Sequence, residues 1–224
     1  MSLENHVNVD CPQCGLDQPY TAWASINTHE SPALRLKVLE GTSHRFQCIR
    51  CQYVSYMPYD VLYNDPHRRF KIWLKHPDEA GVSAVDPAAT RLFDAFSEGW
   101  IHRVVRSLGE LREKVLVLED GYSDVEMEAL KLLVTMANKL DIAVPLAYEG
   151  FVEKRKLFKS DRLIQLRQYF EDESYRDFEV SEKQHLAAAE KQSKGVIANS
   201  SDWPIVDREF ILQAWIAMGR LAPA

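Results

Sequence analysis

The chain has 224 residues, 46% of them hydrophobic and 27% charged, with a formal net charge of −6. That length can bury a real core, in one large domain or two small ones. Residues 1–80 carry −1 and the remainder −5, so neither part has the basic excess of a nucleic-acid binder, and no apolar run nears the ~18 residues of a membrane span.

The polar start, Met1 to Asp10, is unlike an export signal, and a cytoplasmic protein without a membrane segment is expected. Cys11-Pro12-Gln13-Cys14 follows, and Cys48-Ile49-Arg50-Cys51 completes the four cysteines of the chain. Two intervening residues let one tight turn present both sulfurs to one ion, and a second such turn completes a tetrahedron. Cys11, Cys14, Cys48 and Cys51 therefore read as ligands of one structural Zn²⁺. In the first turn Pro12 fixes φ near −65° and Gly15 takes a positive φ where the chain reverses. In the second turn Ile49 and Gln52 stand in those places, and a left-handed Gln52 costs roughly 1 kcal/mol. Disulfides are disfavoured by compartment, and a redox dithiol by the lack of a thioredoxin-like βαβ pattern. An iron–sulfur cluster on the same thiolates stays open on spacing alone. Four protein sulfurs leave no open coordination position, which marks a structural rather than a catalytic metal.

Between the pairs, residues 16–29 read as extended chain, and Ser31-Pro32 opens a short helix with Leu34, Val38 and Leu39 as its apolar stripe, ended by Gly41. Thr42 to Cys48 and Gln52 to Tyr59 read as strands into and out of the second pair. The plan is a zinc ribbon with a helical insert. Val61 to Pro66 reads as a strand end running into a turn, and Phe70 to Leu74 as a strand. Lys75 to Val85 is connector.

Asp86-Pro87 looks like the start of the longest helix, with Phe93, Phe96, Trp100, Val104, Leu108, Leu111, Val115 and Leu118 in steps of three and four. Asp120-Gly121 is a turn, and Ser123 to Glu126 a capping box that starts a second helix through Met127, Leu130, Val134 and Ala137. So short a turn implies an antiparallel pair. Phe151 to Phe158 and Leu163 to Phe170 suit a strand pair around Ser160-Asp161, the second run also fitting a helix. Ser181 caps a helix through Lys191, Gln192 to Asp202 is loop, and Ile205 to Leu221 closes the chain. Its start suits a short strand, and Trp215 and Met218 suit the core. The fold class expected is α+β: an N-terminal zinc ribbon over 1–80, then an antiparallel helix pair and a mixed part over 86–224 packed on it.

These segments together resemble the CpXC domain family, bacterial and archaeal proteins named for two Cys-Pro-x-Cys motifs. Cys11-Pro12-Gln13-Cys14-Gly15 matches the motif fully, whereas Cys48-Ile49-Arg50-Cys51 lacks its proline but keeps both sulfurs. Tyr63-Asn64-Asp65, the run from Leu111 to Val115 through Asp120-Gly121, and Val206-Asp207-Arg208 also look like family segments. The resemblance implies a zinc-binding domain and carries no activity or catalytic residue with it.

Other constellations are weaker. His29, His44, His67, His76 and His102 lack the helical i, i+4 spacing of a catalytic zinc site and read as ordinary histidines, with His6 near Asp10 an adventitious extra ligand at most. Glu110, Glu113, Glu119, Asp120, Asp124, Glu126 and Glu128 read as a solvated helix end. Arg45, Arg50, Arg68, Arg69, Lys71 and Lys75 lie among Phe46, Tyr53, Tyr56, Tyr59, Phe70 and Trp73, a mixture that some nucleic-acid-binding ribbons use, though aromatics at strand spacing suit a core better. No nucleophile elbow or phosphate loop occurs. The expected function is an interaction or adaptor module whose partner is another protein. A nucleic-acid-binding regulator is the second reading, and an enzyme with a pocket between ribbon and helices the third.

Overall fold

A computed structural model describes residues 1–76, 99–156, 159–196 and 205–221. The chain is α+β, with five helices and three sheets among the described residues. It divides into two compact units, Met1–Arg112 and Glu113–Ala224.

The first unit is built on a five-stranded mixed sheet. β1 (Leu3–Asp10) and β2 (Asp17–Asn27) form an antiparallel hairpin that pairs from Leu3↔Ser25 to Asp10↔Asp17. β2 runs parallel to β5 (Val61–Asp65), β5 antiparallel to β6 (Phe70–Leu74), and β6 parallel to β7 (Ile101–Val105). Between β2 and β5 lie helix α1 (Pro32–Leu39) and a small hairpin of β3 (Arg45–Gln47) and β4 (Val54–Tyr56). α1 begins at Pro32, whose fixed φ suits a first turn. Ser31 spends its hydroxyl on Ser2 Oγ, 2.9 Å away, rather than on the helix end.

β5 and β6 are the most buried strands. Val61, Leu62, Tyr63, Phe70, Ile72 and Leu74 are all buried, so both faces of these strands are covered. Asp65 is also fully buried. Its carboxylate accepts the His67 and Arg68 N–H groups, at 3.0 and 3.1 Å, and pairs with Arg68 Nη1 at 2.8 Å. The turn after β5 is thus closed by one side chain.

α2 (Leu108–Glu119) contains the division between the units. The second unit continues with α3 (Asp124–Ala137), the antiparallel strands β8 (Leu146–Lys156), β9 (Lys159–Tyr169) and β10 (Tyr175–Ser181), then α4 (Glu182–Ser193) and α5 (Arg208–Ala217). Met127, Leu130 and Val134 of α3 share one core with Leu146, Tyr148, Ile164, Leu166, Val180, Ile211 and Trp215. Ser123 caps α3 by accepting the Glu126 N–H, and Asp207 caps α5 by accepting that of Phe210.

Several expectations are corrected. The expected single helix from Asp86 to Leu118 is not what the described residues form: Ile101–Val105 is strand β7, and helix α2 begins at Leu108. The β-branched run Ile101, Val104, Val105 follows a left-handed Gly99 and completes the sheet beside β6, so tertiary pairing overrides a helical spacing. The stretch 86–98 of that expectation, part of the connector from Lys75 and part of the loop after Gln192 lie outside the described residues. β1 and β10 arise where the sequence signalled no strand; both are largely exposed and carry no alternating pattern. Val61–Asp65 is a full central strand rather than a strand end. Ile205 to Asp207 form no strand, Ala137 is exposed, and Met218 stays 36% exposed while Trp215 is buried.

Candidate metal centre

The two cysteine turns share one backbone design. In the first, the Gly15 N–H donates to the Cys11 carbonyl at 2.8 Å and the Cys11 N–H to that of Leu16 at 2.9 Å. In the second, the Gln52 N–H donates to the Cys48 carbonyl at 3.0 Å and the Cys48 N–H to that of Tyr53 at 2.9 Å. Gly15 and Gln52 both adopt left-handed backbones, with φ of 67° and 60°. Each turn joins two antiparallel strands, β1 to β2 and β3 to β4, so the metal residues sit at two hairpin tips.

The geometry fits one ion. Cys11 Sγ lies 3.6 Å from Cys51 Sγ, and Cys14 Sγ 3.6 Å from Cys48 Sγ. All four sulfurs fall within 4.8 Å of one another. A tetrahedral ion with metal–sulfur bonds of about 2.3 Å places its sulfurs about 3.8 Å apart, whereas a disulfide needs about 2.05 Å. The four thiols are free of disulfides. Cys11 and Cys48 are buried, and Cys14 and Cys51 half-buried.

The backbone also tunes the sulfurs. The Cys51 and Arg50 N–H groups hold the Cys48 thiol down to about 6, against the opposing effect of burial. At Cys51 the Tyr53 N–H pulls the same way, but burial and the Cys48, Cys11 and Cys14 sulfurs push it up to about 12. Four sulfurs confined together resist full ionisation until a cation joins them.

A small aromatic core backs the cage. Phe46 is buried with Cys11 and Cys48, and Val9, Leu16, Tyr20, Tyr53 and Met57 pack around them. Tyr20 lies 6.2 Å from Phe46 and from Tyr59, ring to ring, and Tyr59 stacks on His44 at 3.9 Å. His44 is fully buried, between Ser43 Oγ and the Tyr59 carbonyl. Burial holds its pKa down to about 4, despite the bond to Tyr59. It is a core histidine, not a ligand. His6 lies beside Thr21 and Glu4 rather than Asp10. Among the described residues the four cysteines are the one group placed to hold a metal.

Three glutamines surround the second turn, and of these only Gln52 was singled out in the sequence, for its backbone. Gln18, 7% exposed on β2, donates from Nε2 to the Gln47 carbonyl and accepts the Ile49 N–H at Oε1, both at 3.0 Å. Gln47 Nε2 donates to Gln52 Oε1 at 2.7 Å, and Gln52 Nε2 reaches the Ile49 carbonyl at 3.4 Å. The only available hint was negative, the missing proline and glycine at Ile49 and Gln52.

Several of the basic and aromatic residues of this unit are engaged within the fold. Phe46, Phe70 and Lys71 are buried, Arg68 pairs with Asp65, and Lys75 lies over Trp73 at 4.0 Å.

The acidic group around residue 120 departs from its expected place at a solvated helix end. Asp124 and Glu128 are buried, as are Lys114 and Lys131. Lys131 Nζ pairs with Glu113 at 2.7 Å and Glu128 at 2.8 Å; Lys114 Nζ lies 3.3 Å from Asp124 and donates to the Val206 carbonyl at 2.6 Å. Glu113 also accepts the Tyr148 N–H, and Tyr148 donates its hydroxyl to Asp120 at 2.6 Å. Burial raises the Glu128 pKa although both lysines oppose it, whereas Glu113 and Glu128 raise that of Lys131 against burial. Two buried lysines thus pair with three carboxylates, two of them buried, at the edge of the core.

No described helix is long and apolar enough to cross a membrane. A family model described as CpXC protein matches residues 9–131, more than half of the chain. No curated protein matches the chain, and no solved structure does.

Proposed function

Since the chain belongs to the CpXC protein family, we propose that its first unit is a zinc ribbon, and that the protein is an interaction or adaptor module whose surfaces a structural Zn²⁺ holds in place. The observation that carries this reading is the closed cage: Cys11, Cys14, Cys48 and Cys51, within 4.8 Å of one another, occupy every position of a tetrahedron. Such an ion has no site left for water or substrate, and its contribution is to folding. Cage size favours a single ion over a multi-iron cluster, and thiolate ligands favour zinc among common divalent metals. Reduced thiols of this kind belong to a reducing compartment, which supports a cytoplasmic protein.

Elemental analysis of native protein tests the metal: about one zinc per chain is expected, and iron absorbance or a folded metal-free protein overturns the assignment. Affinity capture from the native host tests the module, with a protein recovered in stoichiometric amount as the expected result. Salt-sensitive retention of DNA or RNA in its place would transfer the function to the nucleic-acid reading.

A further inference from the structure

The two cysteine turns match in hydrogen-bond design but not in sequence. Pro12 restrains the first turn covalently and has no N–H to satisfy. At the matching place in the second, Ile49 keeps its N–H, and that N–H donates to Gln18 Oε1 at 3.0 Å. The other end of the same amide holds the Gln47 carbonyl, one residue before Cys48, also at 3.0 Å. One buried side chain therefore grips the second turn on both sides of its first sulfur. Gln18 stands four residues after Cys14, on the strand that leaves the first turn. The grip thus also fixes the Cys48–Cys51 pair relative to the Cys11–Cys14 pair.

We infer that Gln18 is a positioning residue of the metal centre, supplying through two hydrogen bonds the restraint that proline supplies in the first turn. It is not a ligand; it acts through Ile49 and Gln47 on where Cys48 sits. Its role depends on residue 49 having an N–H, so Gln18 and a proline at 49 are alternatives. This rests on the metal-site reading above.

The test is a double-mutant cycle on the zinc-loaded full chain, read as the rate of zinc transfer to a chromogenic chelator. Gln18→Leu is expected to speed release about tenfold, because it leaves the Ile49 N–H without its partner. Ile49→Pro alone is expected to stay within about threefold of the parent. On the Ile49→Pro background, Gln18→Leu is expected to change release by less than about threefold. The same factor on both backgrounds would reduce Gln18 to packing and overturn the inference, as would no effect on either. Amide exchange in the unsubstituted protein needs no variant to fold. The Ile49 N–H is expected to exchange at least about a hundredfold slower than an open-chain amide, although its side chain is 72% exposed. Free exchange at that position likewise overturns the inference. A parent protein that takes up no zinc is a separate outcome: it sinks the metal reading, whereas the exchange measurement still judges the bridge between Gln18 and Ile49.

Discussion

The two units of this chain bury charge in opposite ways. The first gathers four sulfurs that repel one another once ionised, and on the proposed metal reading a cation from outside settles them. The second gathers Lys114 and Lys131 with Glu113, Asp124 and Glu128, and supplies its own counter-charges. On that reading one core is conditional on supply, whereas the other draws its counter-charges from the chain. The contrast teaches where each unit is vulnerable: the first to chelation and acid, the second to loss of a single partner.

The largest expected effect breaks the first side of that contrast. Removing the metal with a chelator, or replacing Cys48 by Ser, should forfeit a binding free energy of about 10–16 kcal/mol in comparable small zinc domains. Amide protection should vanish in residues 3–74, while the buried residues of α3 keep theirs; hydrogen exchange by mass spectrometry reads both. Equal loss in both units would contradict the division of labour. Next in size, Lys131→Met should destabilise the second unit by about 3–5 kcal/mol in denaturant titration, since it leaves Glu113 and Glu128 without their shared cation.

Acid sharpens the comparison further. His44 has a folded pKa of about 4 against an ordinary value of 6.5. Between those values the unfolded chain takes up a proton that the folded one refuses. Stability of the first unit is therefore complete above pH 6.5 and falls as pH drops toward 4, by about 3 kcal/mol. Thiolate protonation acts in the same direction. The His44 share is the difference between parent and His44→Gln, whose melting temperature should depend less on pH across that window. The smallest effect belongs to Gln52. Gln52→Gly should relieve about 1 kcal/mol of left-handed strain and lose the side-chain bonds to Gln47 and Ile49, for a net change below about 1 kcal/mol in either direction.

The cysteine turns were legible because their chemistry is local: two sulfurs three residues apart, with Pro12 and Gly15 shaping the turn between and after them. A left-handed Gln52 was legible for the same reason, being the residue where the second turn must reverse. α1 and α3 showed themselves through Pro32 and the Ser123 cap, and α4 begins after Ser181 as expected although the Ser181 hydroxyl makes no capping bond. What failed was non-local. Trp100, Val104, Leu108 and Leu111 fall at helical spacing, yet Val104 belongs to β7 because β6 offers it a pairing partner. The carboxylates of α2 and α3 looked solvated because each was read against its own helix. Lys131 pairs with Glu128 within α3, but Lys131 reaches Glu113, and Lys114 reaches Asp124 and Glu128, only when the helices pack. Gln18 stands thirty-one positions from Ile49, and no spacing rule links them.

Strand β1 has almost no buried side: seven of its eight residues are exposed, on both faces. Inward-facing apolar side chains usually choose which residue lies opposite which, and here that means is lacking. A slip of one place along β2 would take only Val9 out of a packed position. At the hairpin tip the turn's own backbone bonds, Gly15 N–H to the Cys11 carbonyl and Cys11 N–H to that of Leu16, accompany the pairing of Asp10 with Asp17, and on the proposed metal reading this is the register in which Cys11 and Cys14 face a common ion. From there the alignment passes through β2 to its parallel neighbour β5. On the proposed metal reading the ion works as a gauge of strand position, and the hairpin refolded without it is expected to zip up in more than one frame.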